Sequence, residues 1–330
     1  MQLSFRSIHA LGSDYIVIDE SDRPTRFSQE SRPKLASALS DRGAAAGADG
    51  VVVVDASQSG GDASLQIFTP SGHESELCIN GVLCAARYLT DKLDKERMVV
   101  ATPTGTVEIT RSGDIALPMF TSGFVDVQRG LAPPYVEASI PVLWDTTLDQ
   151  FTPSGPYYAV GIGVPHLICV VPKIRLKQLE HTGTLANARQ DIFPTGMNVT
   201  FVARLSSGVC YARTFERGGA GLTSSCATAM LATSYVLCHL PQSAHELRQR
   251  VFCPGGAADC ELGGAATHSV AKLTVPCLYA YTAEIGYQPD TFELSGWLDG
   301  RCNDEEALAY QRFKEEVGLD EVESRVVDED

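Results

Sequence analysis

Long apolar runs are absent from this chain. The most apolar stretch, "VGIGVPHLICVV", is short and broken by Pro165 and His166, whereas a membrane-spanning helix needs about 20 predominantly apolar residues. No membrane partner is therefore expected. No basic segment leads into an apolar one at the start, so a signal peptide is not expected either, and the expected location is the cytoplasm. The 10 cysteines form no Cys-x-x-Cys pair and no Cys/His group at zinc-ligand spacing. This argues against a structural metal. Their irregular spacing argues against a secreted disulfide framework and leaves reduced thiols as the expected state. Basic charge is also scarce, with 26 Lys and Arg against 41 Asp and Glu, a net charge of −15. Such a surface suits neither nucleic acid nor an anionic membrane, and a small-molecule partner is expected instead.

The excess acid is concentrated at one end. Residues 286–330 hold 14 acidic and 4 basic side chains, so the body before them is only mildly acidic. With 330 residues, 44% of them hydrophobic, the chain can bury one large core or two ordinary ones. "QLSFRSIH", "DYIVIDE", "GVVVVDA" and "LQIFTPS" predict strands, as does "RMVVATPTGTVEITRSGDIALPMF", punctuated by Gly105 and "SGD". "RPKLASALSDRG" predicts a helix with Pro33 in its first turn and Gly43 beyond its end; "NGVLCAARYLTDKL" predicts a longer, more buried one. The second half repeats the style. "YYAVGIGVPHLICVV", "MNVTFVARL" and "GVCYARTFE" read as strands, followed by a helix "CATAMLATSYVLCHL" stopped by Pro241, then "RVFCPGG" and further strands to about residue 285. A shift of 148 residues lays Cys78 on Cys226, Val82 on Met230, Leu83 on Leu231 and Leu89 on Leu237. Two similar halves are expected, each with a cysteine at the first turn of a helix that follows a strand and a polar turn.

Beyond residue 285 the character changes. "NDEEALAYQRFKEEVG" predicts a helix with Asn303 as N-cap, acids in its first turn and Gly318 at its end. Leu308, Phe313 and Val317 are its expected docking residues, and "DEVESRVVDED" is expected to be a solvated acidic tail. Residues 286–330 are thus expected to form an acidic appendage with one helix.

Chemistry concentrates at the two matched cysteines. A helix N-terminus gathers N–H donors and partial positive charge, so a cysteine there can ionise below its free pKa of about 8.5 and act as a base or nucleophile. The same donors can bind a carboxylate. In "TSSCATAM", residues 223–230, the hydroxyl residues before Cys226 also suit ordinary helix capping, and a lone buried cysteine is most often a small hydrophobe. Cys226 by itself therefore leaves both readings open. Cys84, Cys169, Cys210, Cys238, Cys253, Cys260, Cys277 and Cys302 are read as structural.

Together, "CINGVLCAARYL" and "ERGGAGLTSSCATA" resemble the two cysteine motifs of the diaminopimelate epimerase family, approximately CGNGARC and ERGAGETxACGTGA. "IHALGSDYIVID" resembles that family's HGLGNDF segment, and "LSDRGAAAGADGVVVV" its DRHxGIGADG segment. "GIGVPHLICVV" is similar to its GNPHxV strand, "GMNVTFV" to its VN strand, and "CPGG" at 253–256 to its PGG turn. In order and roughly in spacing, the resemblance covers residues 1 to about 285. It implies an α+β fold of two pseudo-symmetric domains, each a mostly antiparallel sheet or open barrel around a central helix, with the active site in the cleft between them. Residues 1–120 would form one domain, completed by a strand near 280–288, and residues 121–279 the other.

The resemblance also implies an activity, that of an amino-acid racemase or epimerase working without a cofactor. Cys78 and Cys226 would be the catalytic pair, one removing the α-proton as thiolate and the other returning a proton to the opposite face. His166 and Glu216 would assist proton transfer and hold the amino group. The backbone around Ile79, Asn80, Gly81, Ala227 and Thr228 would bind the α-carboxylate, while Asn198 and Arg217 would grip the distal end of the substrate. Ser13, Thr69 and Val164 stand at further substrate-binding positions. The implied partner is an amino acid, with a homodimer left open. An α-proton is so weakly acidic that a site lacking a cofactor must stabilise the carbanion by hydrogen bonds in a dry cavity.

The chain departs from that pattern at the far wall. Family asparagines are replaced by Ser13, Thr69 and Val164, a glutamate by Leu222, and "RGGAG" carries one glycine more than RGAG. Buried charges without partners cost several kcal/mol, so these changes bear on substrate choice more than on the α-carbon. The expectation is a racemase or epimerase of an amino acid with a shorter or less charged side chain than diaminopimelate. Diaminopimelate itself is the alternative. A non-catalytic binding protein is a further one, because Ile79, Ala227 and Ala229 replace glycines that let a ligand approach the backbone.

Overall fold

The computed structural model describes the chain except for residues 22, 24–25, 44–45, 58–60, 76, 104, 113–118, 125–156, 163, 241–246, 264–269 and 329–330. The "SGD" turn, parts of "LSDRGAAAGADG" and "GIGVPH", and the helix stop at Pro241 fall wholly or partly outside the described residues. The fold is α+β and dominated by strands. Its helices among the described residues are α1 (Ser31–Ser40), α2 (Ile79–Leu93), α3 (Leu176–Ala188), α4 (Ala227–His239), α5 (Asp304–Glu316) and α6 (Leu319–Val326). The chain divides into two compact units, Met1–Val125 with Thr274–Phe313 and Asp126–Leu273 with Lys314–Asp330.

In the first unit, strands Gln2–Ala10, Ser13–Asp19, Gly50–Ala56, Ala63–Phe68, Arg97–Thr102, Gly105–Ser112 and Met119–Phe124 pair in that order. Residues of the strand Val270–Tyr287 return to pair with Gln2–Ala10 on its other side. Neighbours are antiparallel except where a helix intervenes. Ser13–Asp19 leads through α1 to the parallel Gly50–Ala56, and Ala63–Phe68 leads through α2 to the parallel Arg97–Thr102. A parallel neighbour needs a long crossover, which the helix supplies. The second unit repeats the scheme. Val164–Val170 leads through α3 to Asn198–Ser206, Val209–Glu216 leads through α4 to Arg248–Cys253, and hairpins join the rest. The 148-residue offset is thus a repeat of elements, with α2 beginning at Ile79 and α4 at Ala227.

Each unit wraps its sheet around one helix. α2 packs against all seven consecutive strands of the first unit, and α4 against six of the second. Along α2, Ile79, Val82, Leu83 and Leu89 are almost wholly buried, and every described residue of α4 but His239 is buried. A helix apolar on all faces belongs inside a core, and each fully buried aliphatic side chain contributes roughly 1.5–3 kcal/mol. α3 was not legible from its sequence, because its leucines lack a sustained helical period and Thr182 and Gly183 sit mid-helix, both weak helix formers. Gly183 has a packing reason: a Cβ there would meet Phe215 at 2.3 Å.

The acidic C-terminus corrects the expectation of an appendage. Strand Leu294–Cys302 pairs antiparallel with Val270–Tyr287, and α5 starts at the Asn303 cap as expected, Asn303 Oδ1 accepting the Glu306 N–H at 3.2 Å. Of the residues expected to dock, Leu308 is 58% exposed, while Phe313 and Val317 are half-buried. Glu306 is the buried residue of α5. Its carboxylate accepts bonds from Arg87 at 3.0 Å, Asn303 at 3.0 Å and the Tyr279 N–H at 2.7 Å. The tail is also folded, as a second helix rather than a solvated run. Leu319 and Val326 of α6 are buried, Tyr211 donates to Glu323 at 2.7 Å, and Val327 pairs with Ile174. Acidic composition alone reads as solvated, but a carboxylate with enough donors is stable when buried.

This arrangement makes a prediction. Glu306→Gln should lower the unfolding free energy by about 1–3 kcal/mol, since it strips charge from buried hydrogen bonds, whereas Leu308→Ala should change it by less than about 0.5 kcal/mol. Urea denaturation of both variants measures this; equal effects would contradict the docking described.

Candidate functional site

Both matched cysteines occupy the N-cap of the central helix of their unit. Cys78 has φ −134° and ψ 104°, and Cys226 has φ −133° and ψ 104°. Each carbonyl accepts the first helical bond, from the Val82 N–H at 2.9 Å and the Met230 N–H at 3.0 Å. Neither thiol makes a side-chain capping bond. The hydroxyls before Cys226 were expected to cap this helix; the cysteine itself takes the cap position.

The surroundings of the two thiols differ. Cys78 is half-buried, with Tyr15 Oη 3.0 Å from its Sγ. Cys226 is buried and lies 3.5 Å from Thr228 Oγ1. A small cavity, about the size of one water molecule, opens beside Cys226 between Thr214, Thr223, Ser225, Met230, Cys253 and Pro254. Ile79, Asn80, Ala227 and Thr228, the expected carboxylate-binding positions, are all buried in the first turns of α2 and α4. Their N–H groups lie at the positive ends of the helix dipoles. At Gly81 a Cβ would meet Ile67 at 3.1 Å and Tyr15 at 3.3 Å, so the missing side chain makes room for neighbouring side chains.

The second unit gathers most of the remaining residues on three adjacent strands. Asn198 stands opposite His166 in the parallel pair, and its Oδ1 accepts the Arg217 N–H at 2.9 Å. The Arg217 guanidinium donates to the Thr195 carbonyl at 2.7 Å, and Glu216 accepts the Thr223 hydroxyl at 2.7 Å. Gly218, Gly219 and Gly221 follow with φ of 72°, 88° and 68°, left-handed values that glycine adopts without strain, so the extra glycine is absorbed in the loop. His166 is fully buried, and among the described residues neither ring nitrogen has a hydrogen-bond partner. Burial, aided by the nearby Arg217 charge, pushes its pKa down to about 3, so the ring is neutral at physiological pH. Val164 is buried on the His166 strand, and Leu222 pairs with Phe215 in a two-residue strand.

Ser13 and Thr69 lie in the first unit and are engaged locally. The Ser13 hydroxyl donates to Asp49 at 3.1 Å; burial and the Asp14 charge push the Asp49 pKa up against the pull of Arg42. Thr69 Oγ1 sits 2.9 Å from Ser71 Oγ and donates to the His73 carbonyl at 3.3 Å, closing the turn after Ala63–Phe68. Sequence reading passed over Tyr15 and Asp49 and took Thr223 for a helix-capping hydroxyl. Each lies within or beside a quoted motif, but its contact is made through the fold.

Comparison with known proteins agrees with this construction. The sequence model of diaminopimelate epimerase matches residues 5–121. A diaminopimelate epimerase from Ligilactobacillus salivarius is 32% identical over 259 residues, covering 76% of this chain and 79% of the relative. The fold is similar to a phenazine biosynthesis protein of the PhzF family from Bacillus anthracis (14% identity, TM-score 0.63, 87% of this chain and 99% of that one). It is also similar to a hydroxyproline epimerase from Agrobacterium vitis solved with trans-4-hydroxy-L-proline (15% identity, TM-score 0.57, 88% and 97%). With paired N-cap cysteines on a repeated sheet-and-helix scheme and a relative of this identity, the chain belongs to the diaminopimelate epimerase family and is an isomerase, an amino-acid racemase or epimerase.

Proposed function

We propose that the enzyme inverts an amino acid at Cα by a two-base mechanism in which Cys78 and Cys226 are the catalytic residues. The observation that carries this reading is the identical placement of the two cysteines, each at the N-cap of a buried helix with the same backbone angles. One sulfur enters as thiolate and takes the α-proton, leaving the electron pair on Cα delocalised into the carboxylate. The other enters as thiol and delivers its proton to the opposite face. No net proton is consumed, and the two sulfurs exchange protonation states in each turnover. Helix N-termini favour the charge this creates on the carboxylate, through the first-turn N–H groups of α2 and α4.

In this reading the other residues position rather than react. Glu216, held by Thr223, is a counter-charge for the substrate ammonium, and Asn198 orients the Arg217 backbone. His166 acts as a neutral hydrogen-bonding wall, since its depressed pKa leaves no proton to donate from an imidazolium near neutral pH. The substrate side chain is shorter or less charged than that of diaminopimelate: Leu222 and Val164 offer no polar group, and the Thr69 hydroxyl is committed to its own turn. Diaminopimelate is the second reading, favoured by the retained Asn198 and Arg217 and by the named relatives.

Two outcomes test these roles. Cys78→Ser and Cys226→Ser should each lower racemisation of the accepted amino acid at least about 100-fold, the scale of a lost acid–base group. Chiral chromatography measures it, and a variant of near wild-type rate would remove that cysteine from the mechanism. For His166 the unfolded chain, with its ordinary value of 6.5, binds a proton before the folded one, at about 3. Its stabilising contribution is complete at high pH and is lost as pH falls between those values, by up to about 1.4 kcal/mol per pH unit. His166→Gln should flatten that part of the stability–pH curve relative to wild type; parallel curves would show that His166 is not held neutral.

A further inference from the structure

We propose that Tyr15 is a positioning residue that holds Cys78 and favours its thiolate, an assignment that rests on the thiol chemistry proposed above. Its phenol Oη lies 3.0 Å from Cys78 Sγ. A phenol titrates near pH ~10 and a thiol near ~8.5, so the pair gives up its first proton from sulfur and leaves the phenol as donor to the thiolate. A hydrogen bond made to the charged form favours that form. In the HGLGNDF segment that this strand resembles, phenylalanine stands at the Tyr15 position.

The phenol is fixed by packing. Tyr15 is 7% exposed on the strand Ser13–Asp19. A Cβ on Gly50 would come within 2.7 Å of its Cε1, and one on Gly81 within 3.3 Å. One glycine belongs to the neighbouring parallel strand and the other to the first turn of α2, so the ring is wedged between the sheet and the helix that Cys78 caps. A donor locked by packing gives up little freedom in making its bond. Cys226 has a different neighbour, the aliphatic hydroxyl of Thr228 at the longer distance of 3.5 Å, so the two thiols are not electrostatically equivalent. Among the described residues, titratable groups in this region include Cys84 and Cys277, whose thiols burial pushes up, and the Asp14–Arg42–Asp49 cluster. Removing one phenolic oxygen leaves all of them in place.

The test is the pH dependence of Cys78 alkylation by iodoacetamide, resolved from the other cysteines by peptide mass spectrometry. In Tyr15→Phe the Cys78 midpoint should rise by about one pH unit, about tenfold less thiolate at neutral pH, with the Cys226 profile unchanged. Superimposable Cys78 profiles in two equally stable proteins would overturn the assignment. Should Tyr15→Phe fold poorly, wild-type chain made with 3-fluorotyrosine, a more acidic phenol, should move the Cys78 midpoint down, and no shift would overturn it. Absence of racemisation with any amino acid would sink the proposed function while leaving these profiles to decide the Tyr15 contact on their own.

Discussion

Burial of two helix N-termini is the constraint on which the rest depends. α2 and α4 are enclosed by their sheets, so the donors of their first turns cannot rely on bulk water. Most helices meet that need with a Ser, Thr, Asp or Asn cap. Here a cysteine takes each cap position without a side-chain capping bond. In the mechanism proposed above, the two helix N-termini bind the substrate carboxylate, with a cysteine at each cap.

Polar contacts link the segments of each unit that carry the other candidate residues. Asn198, Arg217, Thr195, Glu216 and Thr223 tie three neighbouring strand ends and the glycine loop into one network. In the other unit, Ser13, Asp14, Asp49 and Arg42 join the ends of two parallel strands, and Tyr15 carries that order to Cys78. Acid–base chemistry at an unactivated carbon requires groups that need little reorganisation when charge develops, the role these networks have in the mechanism proposed above. At the C-terminus the same physics is structural: Glu306 and Glu323 are carboxylates drawn into the body by donors on Arg87, Asn303, Tyr279 and Tyr211.

Much of this was legible in the sequence, for identifiable reasons. Strands such as "GVVVVDA" and the helices after Cys78 and Cys226 carry strong local signals, and the 148-residue offset foretold that the helices begin alike. Contacts between distant segments were not legible. Tyr15 meets Cys78 only because α2 packs on the Ser13–Asp19 strand. Thr69 and Ser13 were read as facing substrate, and nothing local announced that their hydroxyls bond within a turn or to Asp49. The acidic tail misled for a related reason, since composition records charge but not the donors waiting for it.

The central claim is that two sulfurs serve opposite faces of one carbon, and isotope incorporation tests it most directly. Early in a reaction run in D2O from one enantiomer of the accepted amino acid, the product enantiomer should carry deuterium at Cα while the remaining substrate carries almost none. That pattern follows if the proton removed and the proton delivered belong to different groups. Equal early deuteration of substrate and product would show that one group serves both faces and would contradict the account.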